Sequence, residues 1–150
     1  NEIGAAAKNV YGIAAGMLDG LRLSSLKGAL MARGAREVSR LIGAMGGNPL
    51  SAYGLCHLGD YEATIFSSHS HNRKFGECYI TGEAYGALAE GVTTCRAMMR
   101  LSAQSGVELP ICAAVYAVLF ERAEARRTLS ELFTRTLKTE FHDSERADRN

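Results

Sequence analysis
The sequence predicts a single all-α domain, and three observations carry that expectation. Apolar residues recur at spacings of three and four along most of the chain, the period of a helix with one buried face. No stretch alternates in the manner of a strand. Glycine and proline fall between the periodic segments, where helices should end or begin. At 150 residues the chain is one ordinary domain with room for a buried core.

The first helix is expected over 2–20, where Ile3, Ala7, Val10, Ala14, Met17 and Leu21 form one stripe. A second face holds Gly4, Ala5, Lys8, Gly12 and Ala15, small enough to let another backbone close in and leave Lys8 beside packed protein. Ser24 or Ser25 can cap a second helix. Its inward residues are Leu30 or Met31, Ala35, Val38, Leu41 or Ile42, and Met45. Gly46-Gly47 ends that helix and Pro49 stops it resuming. Short helices are expected around 50–56 and 58–66, then a break at His69-Ser70 and a helix over 71–79. Helices near 83–89 and 91–105 follow, the latter closed by Ser105-Gly106. Pro110 suits the first position of a helix to about 122, with Ile111, Val115, Val118 and Leu119 inward. Thr128 and Glu131 form a capping box for a last helix. The polar stretch 141–150 is read as a disordered tail after a domain of residues 1–140.

Composition excludes several classes. With 17 basic and 16 acidic residues, a net charge of +1 gives no general attraction to nucleic acid or an anionic membrane. No apolar run approaches the roughly 18 residues of a membrane span, and Lys8, Asn9 and Asp19 interrupt what would otherwise be an apolar leader. The four cysteines, at 56, 78, 95 and 112, have no close pairing. Reduced thiols and a cytoplasmic location are therefore expected. The chain opens on Asn1 rather than Met, which suggests a piece of something longer. Cys56, His57, His69 and His71 could ligate a metal, but their spacing fits no standard zinc module and no metal is expected.

The residues that carry chemistry are spread in a recognisable order. Lys8-Asn9 comes first, then Leu58-Gly59-Asp60 with Thr64 one turn on, then Ser70-His71-Asn72-Arg73-Lys74-Phe75-Gly76. Ala89-Glu90-Gly91-Val92-Thr93-Thr94 and Val107-Glu108-Leu109-Pro110-Ile111 complete it. Ser70, His71 and Asn72 should open a helix, where free N–H groups and the dipole attract an anion such as phosphate. Asp60 can be a helix cap or a partner for an ammonium. Thr64, on the same face, can contact a ligand or pack.

This order resembles the C-terminal domain of NAD(P)-dependent glycerol-3-phosphate dehydrogenase, one of the 6-phosphogluconate-dehydrogenase-like enzymes. The resemblance implies a multihelical domain whose N-terminal Rossmann half lies outside this chain, because no G-x-G-x-x-G follows a strand here. It implies interconversion of sn-glycerol 3-phosphate and dihydroxyacetone phosphate with NAD or NADP, and commonly a homodimer. Lys8 would be the general acid/base, and Asp60 would orient Lys8 and substrate. Asn9, Thr64, Ser70, His71 and Asn72 would bind substrate, while His71, Leu88 and Glu90 would face the cofactor. His71 departs from the pattern, which has arginine there. A histidine offers one charge at most, titrates near neutrality and lacks the bidentate fork. Weaker phosphate binding is expected unless Arg73 or Lys74 compensates. Two alternatives stay open: a related dehydrogenase domain for another hydroxy substrate, and a non-catalytic helical interaction module.

Overall fold
The computed structural model describes residues 2–48 and 70–134. All regular structure among these is helical: α1 (Glu2–Gly20), a 3-10 turn (Ser24–Leu26), α2 (Lys27–Ala44), α3 (His71–Thr81), α4 (Glu90–Ser105) and α5 (Pro110–Phe120). Residues 125–134 form a last helix, α6. The expected helices at 50–56 and 58–66 and the tail at 141–150 lie outside the described residues.

The first helix is the centre of the domain. It was expected to bury one stripe; instead every residue from Val10 to Leu18 is buried, as befits a helix enclosed on all sides. The reason is the run of small residues. α1 packs most extensively against α3, and at their crossing Gly16 faces the backbone of Arg73 and Glu77 while Gly76 faces that of Ile13 and Met17. A Cβ on either glycine would overlap a main-chain carbonyl oxygen, that of Arg73 or of Ile13. The two backbones therefore touch directly. Around this contact α2, α4 and α5 pack on α1, and Leu129 and Phe133 of α6 are fully buried in the same core.

An ion network fixes the α1–α3 pair. Asp19 near the end of α1 takes Arg73 Nη1 at 2.9 Å and Lys27 Nζ at 2.6 Å. Arg73 also meets Glu77 at 2.8 Å. Partial burial alone would raise the Asp19 carboxyl. Bonds from Lys27, Ser24 and Arg73 outweigh it and hold the group below the ordinary carboxylate value.

Several local expectations are corrected. Neither serine caps α2: Leu26 occupies the N-cap, and the Ser24 hydroxyl donates to Asp19 instead. Met45 is half exposed because α2 ends at Ala44, one residue before the periodicity would bury it. No helix forms at 83–89. Gly82, left-handed at φ 84°, closes α3, and the following residues run without helical structure to the extended Ala89 that opens α4. The last helix starts before Thr128, since the Glu124 carboxylate accepts the N–H groups of Arg126 and Arg127 at 3.1 and 2.7 Å. Thr128 then lies inside the first turns.

The α2–α5 junction holds a carboxyl that no sequence motif announces. Glu37 is 1% exposed. It accepts the Tyr11 hydroxyl and the Ile111 N–H, both at 2.7 Å. Leu109, the N-cap of α5, has no side chain able to cap. Glu37 supplies that cap from another helix, at the positive end of the α5 dipole. Burial pushes its carboxyl above the usual range despite these donors.

Candidate functional site
Three of the motifs singled out in the sequence meet at one point, and Asn72 joins them. Its Oδ1 accepts the Gly91 N–H at 2.9 Å, and its Nδ2 donates to Asn9 Oδ1 at 3.2 Å. A backbone N–H can only donate, so the Gly91 bond settles which way the Asn72 amide faces. Asn72 is 9% exposed. It thus ties α1 beside Lys8 to the first turn of α3 and the first turn of α4.

Gly91 has to be glycine for this to happen. A Cβ there would come within 2.6 Å of Asn9 O, 2.7 Å of Ile13 Cδ1 and 2.9 Å of Asn72 Oδ1. The α4 terminus consequently sits against α1, with Glu90 the exposed first residue of α4 and Leu88 just before it, 80% exposed. Lys8, adjacent to Asn9, is partly buried.

Ser70 is the N-cap of α3, with extended backbone (φ −68°, ψ 126°), and its Oγ accepts the Arg73 N–H at 3.4 Å. Capping uses an oxygen lone pair and leaves the hydroxyl proton to donate elsewhere. Likewise Asn72 spends one amide hydrogen on Asn9 and keeps a second. His71 is exposed at the first position of α3, with Nδ1 2.7 Å from the Tyr85 hydroxyl. The start of α3 thus gathers an O–H, an amide N–H, an imidazole and the N–H groups that no helix can satisfy internally. Such a terminus suits an anion.

Arg73 does not compensate for the missing arginine at position 71. Its guanidinium is buried in the Asp19–Glu77 network, on the α1–α3 contact. Lys74 is the more exposed cation, 4.0 Å from Glu77. Asp60 and Thr64 lie outside the described residues, as do Cys56, His57 and His69 of the candidate metal set. Among the described residues no cluster of three or more potential metal ligands occurs, and no helix is long and apolar enough to cross a membrane. Cys78, Cys95 and Cys112 are free thiols in the interior, and burial drives Cys95 up to about 12.

Two comparisons define what kind of domain this is. The fold is that of part of a known dehydrogenase: a 2.1 Å crystal structure of glycerol-3-phosphate dehydrogenase from Coxiella burnetii superposes with a TM-score of 0.80 at 31% identity, over 87% of this chain and 43% of that one. In sequence, the family model described as NAD-dependent glycerol-3-phosphate dehydrogenase C-terminus matches residues 1–130. The chain belongs to that family. Glycerol-3-phosphate dehydrogenase (NAD(P)+) of Clostridium botulinum strain Alaska E43 is 41% identical over 148 residues, covering 93% of this chain and 45% of that protein. The enzyme of the same name from Thermus thermophilus is 42% identical over 146 residues, again 93% and 45%. The chain therefore spans less than half the length of the relatives it matches.

Proposed function
We propose that this chain is the substrate-binding and catalytic half of an enzyme that interconverts sn-glycerol 3-phosphate and dihydroxyacetone phosphate. The observation that carries the reading is the Asn72 junction. It brings Lys8-Asn9, the opening of α3 and the opening of α4 to one place, and these are the segments the family resemblance implicates.

In this reading Lys8 is the general acid/base. As the ketone is reduced, its ammonium gives a proton to the carbonyl oxygen; in the reverse direction the amine takes it back from the hydroxyl. Asn9 hydrogen-bonds substrate beside it, Asp60 holds the ammonium in place, and Thr64 contacts substrate. Ser70, His71 and Asn72 receive the phosphate at the α3 terminus. The two charges of a phosphate monoester match a site built of donors, while a single imidazole replaces the arginine fork.

The nucleotide would lie against His71, Leu88 and Glu90. The fit is reasonable: an 80% exposed leucine gives an apolar surface for a flat ring, and the neighbouring exposed carboxylate can accept from ribose or amide. When bound, NAD or NADP supplies the hydride chemistry. A Rossmann half outside this chain would hold the rest of the nucleotide, and the assembled enzyme would be a cytoplasmic homodimer. In this reading the function belongs to residues 1–140, and 141–150 take no part in it.

The test is oxidation of NADH and NADPH by the full gene product with dihydroxyacetone phosphate. Turnover that depends on the phosphate ester and is absent with dihydroxyacetone supports the reading. No turnover with either nucleotide refutes it and favours a related substrate or a non-catalytic module.

A further inference from the structure
His71 and Tyr85 form a pair that the family comparison does not explain, because the pattern it resembles has arginine at position 71. Nδ1 of His71 lies 2.7 Å from the Tyr85 hydroxyl oxygen, and the ring centroids are 6.4 Å apart at 47°. Tyr85 sits between α3 and α4, partly buried. Its ring meets Phe75, one turn along α3, edge-on at 6.5 Å and 61°. The tyrosine is thus braced against the helix whose first residue it touches.

The bond has a direction. Of two neutral partners, a phenol is the better donor and an imidazole sp² nitrogen the better acceptor. In a neutral His71 the hydrogen therefore runs from Tyr85 O–H to Nδ1, and the ring proton resides on Nε2. The hydrogen bond made by one ring nitrogen determines the state of the other. In a protonated His71, Nδ1–H donates to the Tyr85 oxygen and Nε2–H remains. Nε2 is a donor in both charge states. Without the tyrosine, a neutral imidazole could take the other tautomer and turn a lone pair toward an anion.

We propose that Tyr85 is a positioning residue: it holds His71 in the Nε2–H tautomer, so that even an uncharged imidazole offers a donor to the substrate's phosphate at the start of α3. The substrate half of this statement rests on the proposed function; the tautomer half rests on the His71–Tyr85 geometry alone. The pair accounts for how a histidine can stand where an arginine is expected.

The experiment combines nitrogen NMR of the histidine rings with steady-state kinetics on the full gene product, using wild type, Tyr85→Phe, His71→Arg and the double variant. Tyr85→Phe keeps the ring against Phe75, and His71→Arg assigns the resonance by its loss. In mildly alkaline buffer wild type should show Nε2–H for His71, and Tyr85→Phe a mixture of tautomers. The KM for dihydroxyacetone phosphate should rise about fivefold in Tyr85→Phe, the worth of one hydrogen bond, with kcat nearly unchanged. In the His71→Arg background the same change should move KM by less than about twofold, because the partner is gone. An Nδ1–H tautomer in an active wild type, or equal KM changes in both backgrounds, overturns the proposal. A wild type with no dihydroxyacetone phosphate turnover overturns the functional reading beneath it, and the NMR then reports separately whether Tyr85 sets the tautomer.

Discussion

Replacing Asn72 by leucine removes the tie among α1, α3 and α4 while keeping the branched shape of the side chain. The cost can be worked from the two bonds it makes. Gly91 N–H is buried, and leaving it without an acceptor costs about 1–3 kcal/mol. The Asn9 amide is only partly buried, so losing that bond costs about 0.5–1.5 kcal/mol. Together these give a loss of roughly 3 kcal/mol, which at a urea slope of about 2 kcal/mol/M lowers the unfolding midpoint by about 1.5 M. Asn72→Asp separates this account from a mere packing defect. The aspartate keeps an acceptor for Gly91 N–H, and Asn9 can turn its amide to donate to the carboxylate, so the loss should be about 1 kcal/mol. Equilibrium urea unfolding of wild type and both variants decides it. A leucine variant within about 0.5 kcal/mol of wild type, or an aspartate variant as damaged as leucine, would refute the hydrogen-bond reasoning.

Two further outcomes follow from the interior. Gly76→Ala places a methyl against the Ile13 carbonyl oxygen at the helix crossing. It should cost at least about 3 kcal/mol and leave α1 and α3 unable to close, read as loss of a cooperative thermal transition. Glu37 sets a pH trend. Its folded carboxyl is raised by burial above an ordinary value of 4.5. Its contribution is therefore fully present below about pH 4.5 and is lost as the pH climbs through the raised value. Glu37→Gln should flatten that decline in denaturation midpoints measured across the acid-to-neutral range. An unchanged slope counts against a protonated Glu37.

Much of this was legible in the sequence because periodicity and punctuation report on helices. α1, α4 and α5 fall close to where the apolar spacing puts them, and Gly82 and Gly106 close helices as left-handed caps. The failures share a cause. Whether seven residues such as 83–89 form a helix depends on what spans the gap between α3 and α4, which a local pattern does not contain. The inward place of Glu37 follows the buried spacing of Leu30, Gly34 and Leu41, but that it would cap α5 from another helix is a long-range pairing that no local motif contains. The Ser70–Asn72 terminus was visible as a helix start. That Asn72 would reach both Asn9 and Gly91, 63 and 19 residues away in sequence, was not, because long-range pairing leaves no trace in one chain's spacing. Arg73 was equally opaque: a basic residue beside an anion-binding motif reads as part of it, yet its partners are Asp19 and Glu77.

The most direct test of the central claim is the kcat of the full gene product for dihydroxyacetone phosphate, compared with that of Lys8→Ala under saturating NADH or NADPH. If Lys8 transfers the proton, kcat falls by about 10²–10⁴ with a much smaller change in KM. A Lys8→Ala enzyme within about threefold of wild-type kcat would contradict the assignment and move the acid/base to another group.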